Sequence, residues 1–348
     1  MNPTEDLPFA HGTPQLRGSI KLVPEDFIVD EILSFIPSGH GEHALVRIEK
    51  WGETTDFITR ELQRFTGVRA RDIGFAGIKD RHGRTIQWFS IPLPGKPDPD
   101  WGQFKGEGYR VIESTRNDRK LRRGALSGNR FQLTLREVQG NWSELENKLE
   151  TISEHGVPNY FGPQRFGRDG QNVERALNLI RNPDTRISPH LRGLYLSAAR
   201  SLIFNHILAR RVSDQSWNQA ISGDVFMFQD SKSFFSADAC DPVTLERVCL
   251  KEIHPSGPLV GKLPSSAVDD ALEHENHVID TFPELHDGLV RLELESMRRP
   301  YRLWPALMSW KHETEDRLHL EFQLPAGSYA TTVLREIISF NLNDTIEV

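Results

Sequence analysis

From Phe131 to Val138 apolar and polar residues alternate, with Phe131, Leu133 and Leu135 set against Gln132, Thr134 and Arg136. A period of two belongs to a strand with one buried face. The signature returns at Leu318–Leu324, where Leu318, Leu320, Phe322 and Leu324 are separated by polar residues. Shorter apolar runs predict strands at Phe27–Leu33, Ala44–Lys50, Thr85–Ile91 and Leu289–Leu294, with a Pro/Gly turn at Pro37–Gly41. Elsewhere the period lengthens to that of a helix. Thr55–Phe65 is bracketed by a Thr54 or Thr55 cap and a Gly67 stop, and Trp142–Ser153 aligns Leu145, Leu149 and Ile152 before Gly156. Leu196–Arg211 gathers Ala199, Leu202, Ile203 and Ile207 on one side, and Thr331–Ile338 is entered through Pro325–Ala326–Gly327. Between Ser213 and Asp287 periodicity is weak and Pro, Ser and acidic residues are frequent. No fixed-period repeat is present. The expected class is α+β, its two parts separated by a middle insertion.

Composition narrows the setting. The 348 residues are 37% hydrophobic and 26% charged, a soluble globular profile. No apolar run approaches the roughly 18–20 residues of a membrane span. The opening MNPTEDLPFAHG has neither the basic flank nor the apolar stretch of an export signal. Cys240 and Cys249 are too few for a disulfide framework or a thiolate zinc site, so a cytoplasmic location is expected. His40/His43 and His274/His277 each lack a convincing third ligand, so no metal is expected. The formal net charge of −7 speaks against a polyanionic partner until its distribution is considered. Val111–Arg136 holds seven basic residues against Glu113 and Asp118, and Arg69, Arg71, Lys79, Arg81 and Arg84 form a second group. Such asymmetry suits a polyanion docked on one face; ordinary solvated charge explains it equally well.

The second basic group surrounds GFAGIKDRHGRTIQWFS, Gly74–Ser90. Gly74 and Gly77 permit close backbone approach or positive φ, Gly83 closes the turn, and Asp80 lies beside Lys79, Arg81 and His82. A carboxylate among cations stays ionised when water is excluded, as a nucleophile or base requires. Taken alone, Asp80 reads more readily as a loop residue that caps its own turn. Asn129 and Phe131 open the alternating strand and share a face, with Arg130 opposite. An amide beside an aromatic ring can hydrogen-bond and stack on a nucleobase. Phe27 and Glu31 likewise share a face of their strand, and Lys21 precedes them closely enough to reach the same place.

Together KLVPEDFIVDE (Lys21–Glu31), GFAGIKDRHGRTIQWFS, GNRFQLTLRE (Gly128–Glu137), VPNYFGPQRFG (Val157–Gly167), YLSAARSLIFN (Tyr195–Asn205) and LPAGSYATTVLRE (Leu324–Glu336) resemble, in order over nearly the whole chain, the TruD family of tRNA pseudouridine synthases. That resemblance implies a pseudouridine-synthase fold with a mixed, largely antiparallel sheet, plus a family-specific inserted α+β domain. The catalytic domain is expected at 1–154 and 304–348, and the inserted domain at 155–303. The implied partner is tRNA, at uridine 13 of glutamate tRNA in bacterial members, with no cofactor, no membrane and a monomeric state. Asp80 falls on the catalytic carboxylate, whether it attacks the sugar or removes a sugar proton. Lys21 is the preferred ion-pair partner of Asp80, with Lys79 second. Phe131 matches the position of the ring against the target base, where many other pseudouridine synthases carry Tyr. Phe27 and Asn129 match substrate-contacting positions, and Glu31 and Lys79 are placed with them. Tyr329 stands where Phe is expected, which preserves the stacking face.

Two rival readings use the same residues. A non-catalytic tRNA-binding or tRNA-folding chaperone would keep the basic face and could dispense with Asp80. A retaining glycosidase needs two carboxylates across the bond, and only Glu31 competes for the second.

Overall fold

The computed structural model of the chain describes residues 3–79, 81, 83–229 and 231–340. Its elements begin with strands β1 (Leu16–Ser19), β2 (Phe27–Leu33) and β3 (His43–Lys50) and helix α1 (Thr55–Thr66). Strands β4 (Gly74–Phe75), β5 (Arg84–Pro92), β6 (Lys105–Gly106), β7 (Tyr109–Asn117) and β8 (Leu126–Gln139) follow. Next come α2 (Trp142–His155), β9 (Val157–Pro158), α3 (Gln171–Arg181), α4 (Pro189–Ser213), β10 (Val225–Phe228) and β11 (Phe234–Ser236). After them lie α5 (Pro242–Cys249), β12 (Ile253–Leu259), α6 (Asp269–Ile279), α7 (Pro283–Arg291), β13 (Met297–Pro300) and β14 (Arg302–Leu303). The last are β15 (Ala306–Thr314), β16 (Arg317–Pro325), α8 (Ala330–Ile337) and β17 (Ile338–Ser339). Among the described residues no helix is long and apolar enough to cross a membrane.

The chain packs into two compact units. The sheet unit comprises the described residues of Pro14–Glu146, Pro305–Gly327 and Ile337–Val348. Its strands run in the order β15-β16-β8-β2-β5-β3-β7-β6, with β1, β17 and β4 attached beside that path. Pairing is parallel at β2–β5 and β1–β17 and antiparallel at the other described pairs. The sheet is therefore mixed and largely antiparallel, in an α+β chain, as the sequence implies. Helix α1 lays Ile58 and Leu62 on Ala44, Val46, Ile48, Phe89 and Ile91, all fully buried. Its ends have local causes. Thr54 Oγ1 accepts from the Phe57 N–H at 3.1 Å, and Gly67 takes φ 72°, where a side chain would be strained.

The helical unit comprises the described residues of Met1–Thr13, Asn147–Trp304 and Ser328–Glu336. Its core gathers Ile203, Phe204, Ile207 and Leu208 of α4 with Ala176 of α3, Leu289 of α7 and Phe161. A four-stranded sheet, β11-β10-β12-β13, belongs to the same unit. Two segments of this region differ from the sequence reading. Leu289–Leu294, expected as a strand, begins inside α7, and Leu285 and Leu289 are buried at helical spacing. Gly288 looks like a break, but a Cβ there would meet Ile180 at 2.3 Å, so the glycine lets α7 approach α3 closely. The weakly periodic 213–287 segment contains β10, β11, α5, β12, α6 and most of α7. Residues 3–13 and 328–336 also pack with this unit: Arg335 donates to the carbonyls of Leu7 (2.5 Å) and Pro8 (3.1 Å), and Glu336 accepts from the N–H groups of Ala10 and His11.

Candidate active site

Three strands of the sheet unit set the stage. In the β2–β8 register Phe27 faces Leu133, Val29 faces Phe131 and Glu31 faces Asn129. In the β8–β16 register Phe131 faces Phe322. Period-two alternation therefore puts Phe27, Glu31, Asn129, Phe131 and Phe322 on one face of the sheet. The Phe27 and Phe131 rings meet edge to face with centroids 6.2 Å apart, and Phe131 lies 5.6 Å from Phe322. Arg130 points the other way and pairs with Glu321 at 2.8 Å. Lys21, at φ 57°, holds its ammonium 4.2 Å from the Phe27 ring centroid, within cation–π reach.

A polar trio lies beside the rings. The Glu31 side chain is 0% exposed, with Oε2 accepting from the Trp88 N–H at 3.0 Å and Oε1 3.3 Å from Lys79 Nζ. Lys79, 9% exposed, also donates to Asn129 Oδ1. Burial pushes the Glu31 carboxyl up, opposed by the Lys79 charge, and pushes the Lys79 ammonium down, opposed by Glu31. Each group favours the charged form of the other, against the burial that disfavours both charges.

The segment leading to position 80 is anchored from below. Gln87, fully buried on β5, donates from Nε2 to the Gly77 carbonyl at 2.6 Å. Its Oε1 accepts from Thr55 Oγ1 at 3.0 Å, and Thr55 Oγ1 accepts the Lys79 N–H at 3.1 Å. A buried network with its donors and acceptors matched holds 77–79 against α1 and β5. Of the three glycines, Gly74 is demanded by space, since a Cβ would lie 2.2 Å from the Leu121 carbonyl. Gly83 is tight against the Phe27 carbonyl at 2.9 Å, while Gly77 has ordinary room. Asp80 and His82 lie outside the described residues.

The basic clusters separate on inspection. Arg84 and Arg110 are absorbed by Glu49, Arg136 by buried Asp26 and Arg116 by Asp98. Arg71, Lys120, Arg122 and Arg123 instead line a cavity of about 350 Å³ with Phe75, and the Arg123 guanidinium lies 5.5 Å from that ring. This is a cationic, partly aromatic recess of the kind that takes phosphate and base.

The TruD family model, tRNA pseudouridine synthase D, matches residues 6–176 and 168–337. The chain belongs to the TruD family. It is 48% identical over 337 residues to the tRNA pseudouridine synthase D of Methylococcus capsulatus, covering 97% of this chain and 95% of that one. To the same-named protein of Hydrogenovibrio crunogenus it is 44% identical over 338 residues, covering 97% of both. A crystal structure of the putative tRNA pseudouridine synthase D of Methanosarcina mazei superposes with a TM-score of 0.76 at 25% identity, covering 95% of each chain.

Within this TruD-family chain the structure brings Lys21, Phe27, Glu31, Lys79, Asn129 and Phe131 into one neighbourhood of the sheet unit. Tyr329 belongs to the helical unit, where it packs on the core and its hydroxyl accepts from Arg165 at 3.1 Å. Gln87 and Thr55 escaped the sequence reading. Their signal was a glutamine inside an otherwise apolar strand run and a hydroxyl just after a helix cap, both easily taken for surface.

Proposed function

We propose that the chain is a tRNA pseudouridine synthase that converts uridine 13 of glutamate tRNA to pseudouridine, with Asp80 as the catalytic carboxylate. The observation that carries this is the single sheet face on which the Phe27–Phe131 pair adjoins the Lys79–Glu31–Asn129 trio, one residue from Asp80, in a chain that matches the TruD family along its length. The reaction breaks the N1–C1′ bond of uridine, turns the base and forms C5–C1′. The C5 hydrogen leaves as a proton and N1 gains one, so no electrons are exchanged and no cofactor is called for.

Each group then has a task. Phe131 and Phe27 offer ring surface to the extruded base, stacking of this kind being worth about 1–3 kcal/mol. Lys21 balances the Asp80 charge, and Tyr329 is proposed as a stacking residue for the substrate. Extrusion costs a few kcal/mol, offset by phosphate contacts from the Arg71–Lys120–Arg122–Arg123 recess. Affinity for tRNA accordingly falls steeply with salt. The proposed division keeps 1–154 with 304–348 as the catalytic domain and 155–303 as the inserted domain, acting as a cytoplasmic monomer.

The test is tritium release from C5 of uridine-labelled glutamate tRNA, by wild type and Asp80→Ala, with a uridine-13-to-cytidine transcript as control. Release by wild type alone, lost with the cytidine control, is expected. Equal release by both proteins removes Asp80 from catalysis, tRNA binding without any release supports the chaperone reading, and release that survives the control moves the target elsewhere.

A further inference from the structure

The Lys79 ammonium does more than sit beside a buried carboxylate. It donates to the carboxamide of Asn129, the residue directly opposite Glu31 in the β2–β8 register. An ammonium has three N–H donors and no acceptor, so the atom it faces must be the carboxamide oxygen. Turning the amide over would set its NH₂ against NH₃⁺. Glu31, with a side chain 0% exposed and Oε1 3.3 Å from Nζ, is the counter-charge that favours the ammonium form and holds that lysine in place. The oxygen of Asn129 is therefore committed within the protein, and its amino group is what remains to offer.

We infer that Glu31 and Lys79 are positioning residues that lock the Asn129 carboxamide with its amino group presented to the target nucleotide, so that the site selects an oxygen acceptor such as a uracil carbonyl. This rests on the proposed reaction and adds a polarity to it. An amide free to flip can accept from a donor, for example the amino group of cytosine, as readily as donate to a carbonyl. A locked amide cannot. The lock also explains the use of two buried charges where a single hydroxyl would satisfy Asn129: only a donor-only group fixes which end of an amide points outward.

The experiment compares Lys79→Met, Lys79→Arg, Asn129→Ala, Asn129→Asp and the Lys79→Met/Asn129→Ala double variant. Single-turnover tritium release at saturating enzyme is read beside tRNA Kd by filter binding. Lys79→Met is expected to slow single-turnover release about tenfold, the scale of one charge-assisted hydrogen bond. Kd should stay within about twofold, because phosphate contacts dominate affinity. Lys79→Arg, still donor-only, recovers most of the rate. Asn129→Asp, which offers only acceptors, is as slow as Asn129→Ala. The double variant is no slower than Asn129→Ala, since Lys79 acts through that amide. Losses that multiply in the double variant, or an active Asn129→Asp, overturn the inference. Should Lys79→Met fail to fold, Glu31→Gln takes its place in the same cycle. No release from wild type would strike the proposed reaction itself, a result distinguishable from either.

Discussion

Both units bury charged pairs, and they use them differently. In the helical unit Arg211 is 1% exposed and Asp224 2%. Arg211 reaches both Asp224 oxygens at 3.0–3.1 Å, and its remaining donors go to the carbonyls of Ser216 and Gln219. Arg298 is engaged in the same way by Glu275, Ser256 and Ser265. These pairs turn their donors inward and hold loops to helices. In the sheet unit Glu31 and Lys79 are comparably buried, yet beside the Trp88 N–H their side-chain contact runs to Asn129, a half-buried amide with a second polar end. Burial of charge alone does not mark a functional site. What sets the proposed site apart is that its network runs outward to the half-buried Asn129 amide.

The contrast can be broken most sharply at Arg211. Arg211→Met leaves Asp224, whose carboxyl burial already pushes up, without its partner; a loss of about 3–5 kcal/mol is expected in chemical denaturation of the transition that reports the helical unit. Replacing both partners by apolar residues should recover much of it. If Arg211→Met costs less than about 1 kcal/mol, the pair is not the structural fastener described.

A second large effect is acid sensitivity of the same unit. Burial, with Arg302 nearby, depresses His254 to about 3 from an unfolded value of 6.5. The unfolded chain therefore takes up the proton first. This contribution to stability is fully present above pH 6.5 and is lost as pH falls from 6.5 towards 3, up to about 5 kcal/mol. His254→Gln should flatten that acid limb in pH-resolved denaturation; an unchanged limb would show that His254 is not its source.

Lys79→Met sits lower on the stability scale and higher on the activity scale. Lys79→Met removes one ion pair and one hydrogen bond, where Arg211→Met removes bonds to Asp224 and to two backbone carbonyls, so a stability loss below about 2 kcal/mol is expected beside the tenfold rate loss. A variant destabilised like Arg211→Met but fully active per folded molecule would erase the distinction between the two pairs. The smallest effects separate two glycines. Gly288→Ala must displace Ile180 and should cost about 1–3 kcal/mol. Gly77→Ala, whose Cβ would lie 3.7 Å from Leu126 and 3.8 Å from Glu31, should change stability by less than about 0.5 kcal/mol.

Particular elements show what could be read in advance. The bounds of β2 and the Gly67 stop of α1 follow from local chemistry and lie where the sequence puts them, and of the two caps it offered, Thr54 and Thr55, the structure uses Thr54. The shared faces of Phe27 with Glu31 and of Asn129 with Phe131 follow from strand period alone. The region from Ser213 to Asp287 resisted because its order is held by contacts that look polar in one dimension. Arg211, Asp224 and Glu275 read as surface charge until each is seen buried against its partner. Nothing local reveals the close approach of Ile180 to Gly288.

The sequence by itself determined the strands and helices with strong period and the shared faces of the candidate site, because these depend on spacing along the chain, and its motifs carried the family resemblance that the family match bears out. Only the tertiary structure decided that Lys79 faces Glu31 and Asn129, that Gln87 and Thr55 hold the backbone at 77–79, and that residues 3–13 and 328–336 join the helical unit. Those choices rest on hydrogen bonds and ion pairs between residues up to 328 positions apart. A donor's direction is set by whatever the fold brings opposite it, and no local pattern of residues contains that.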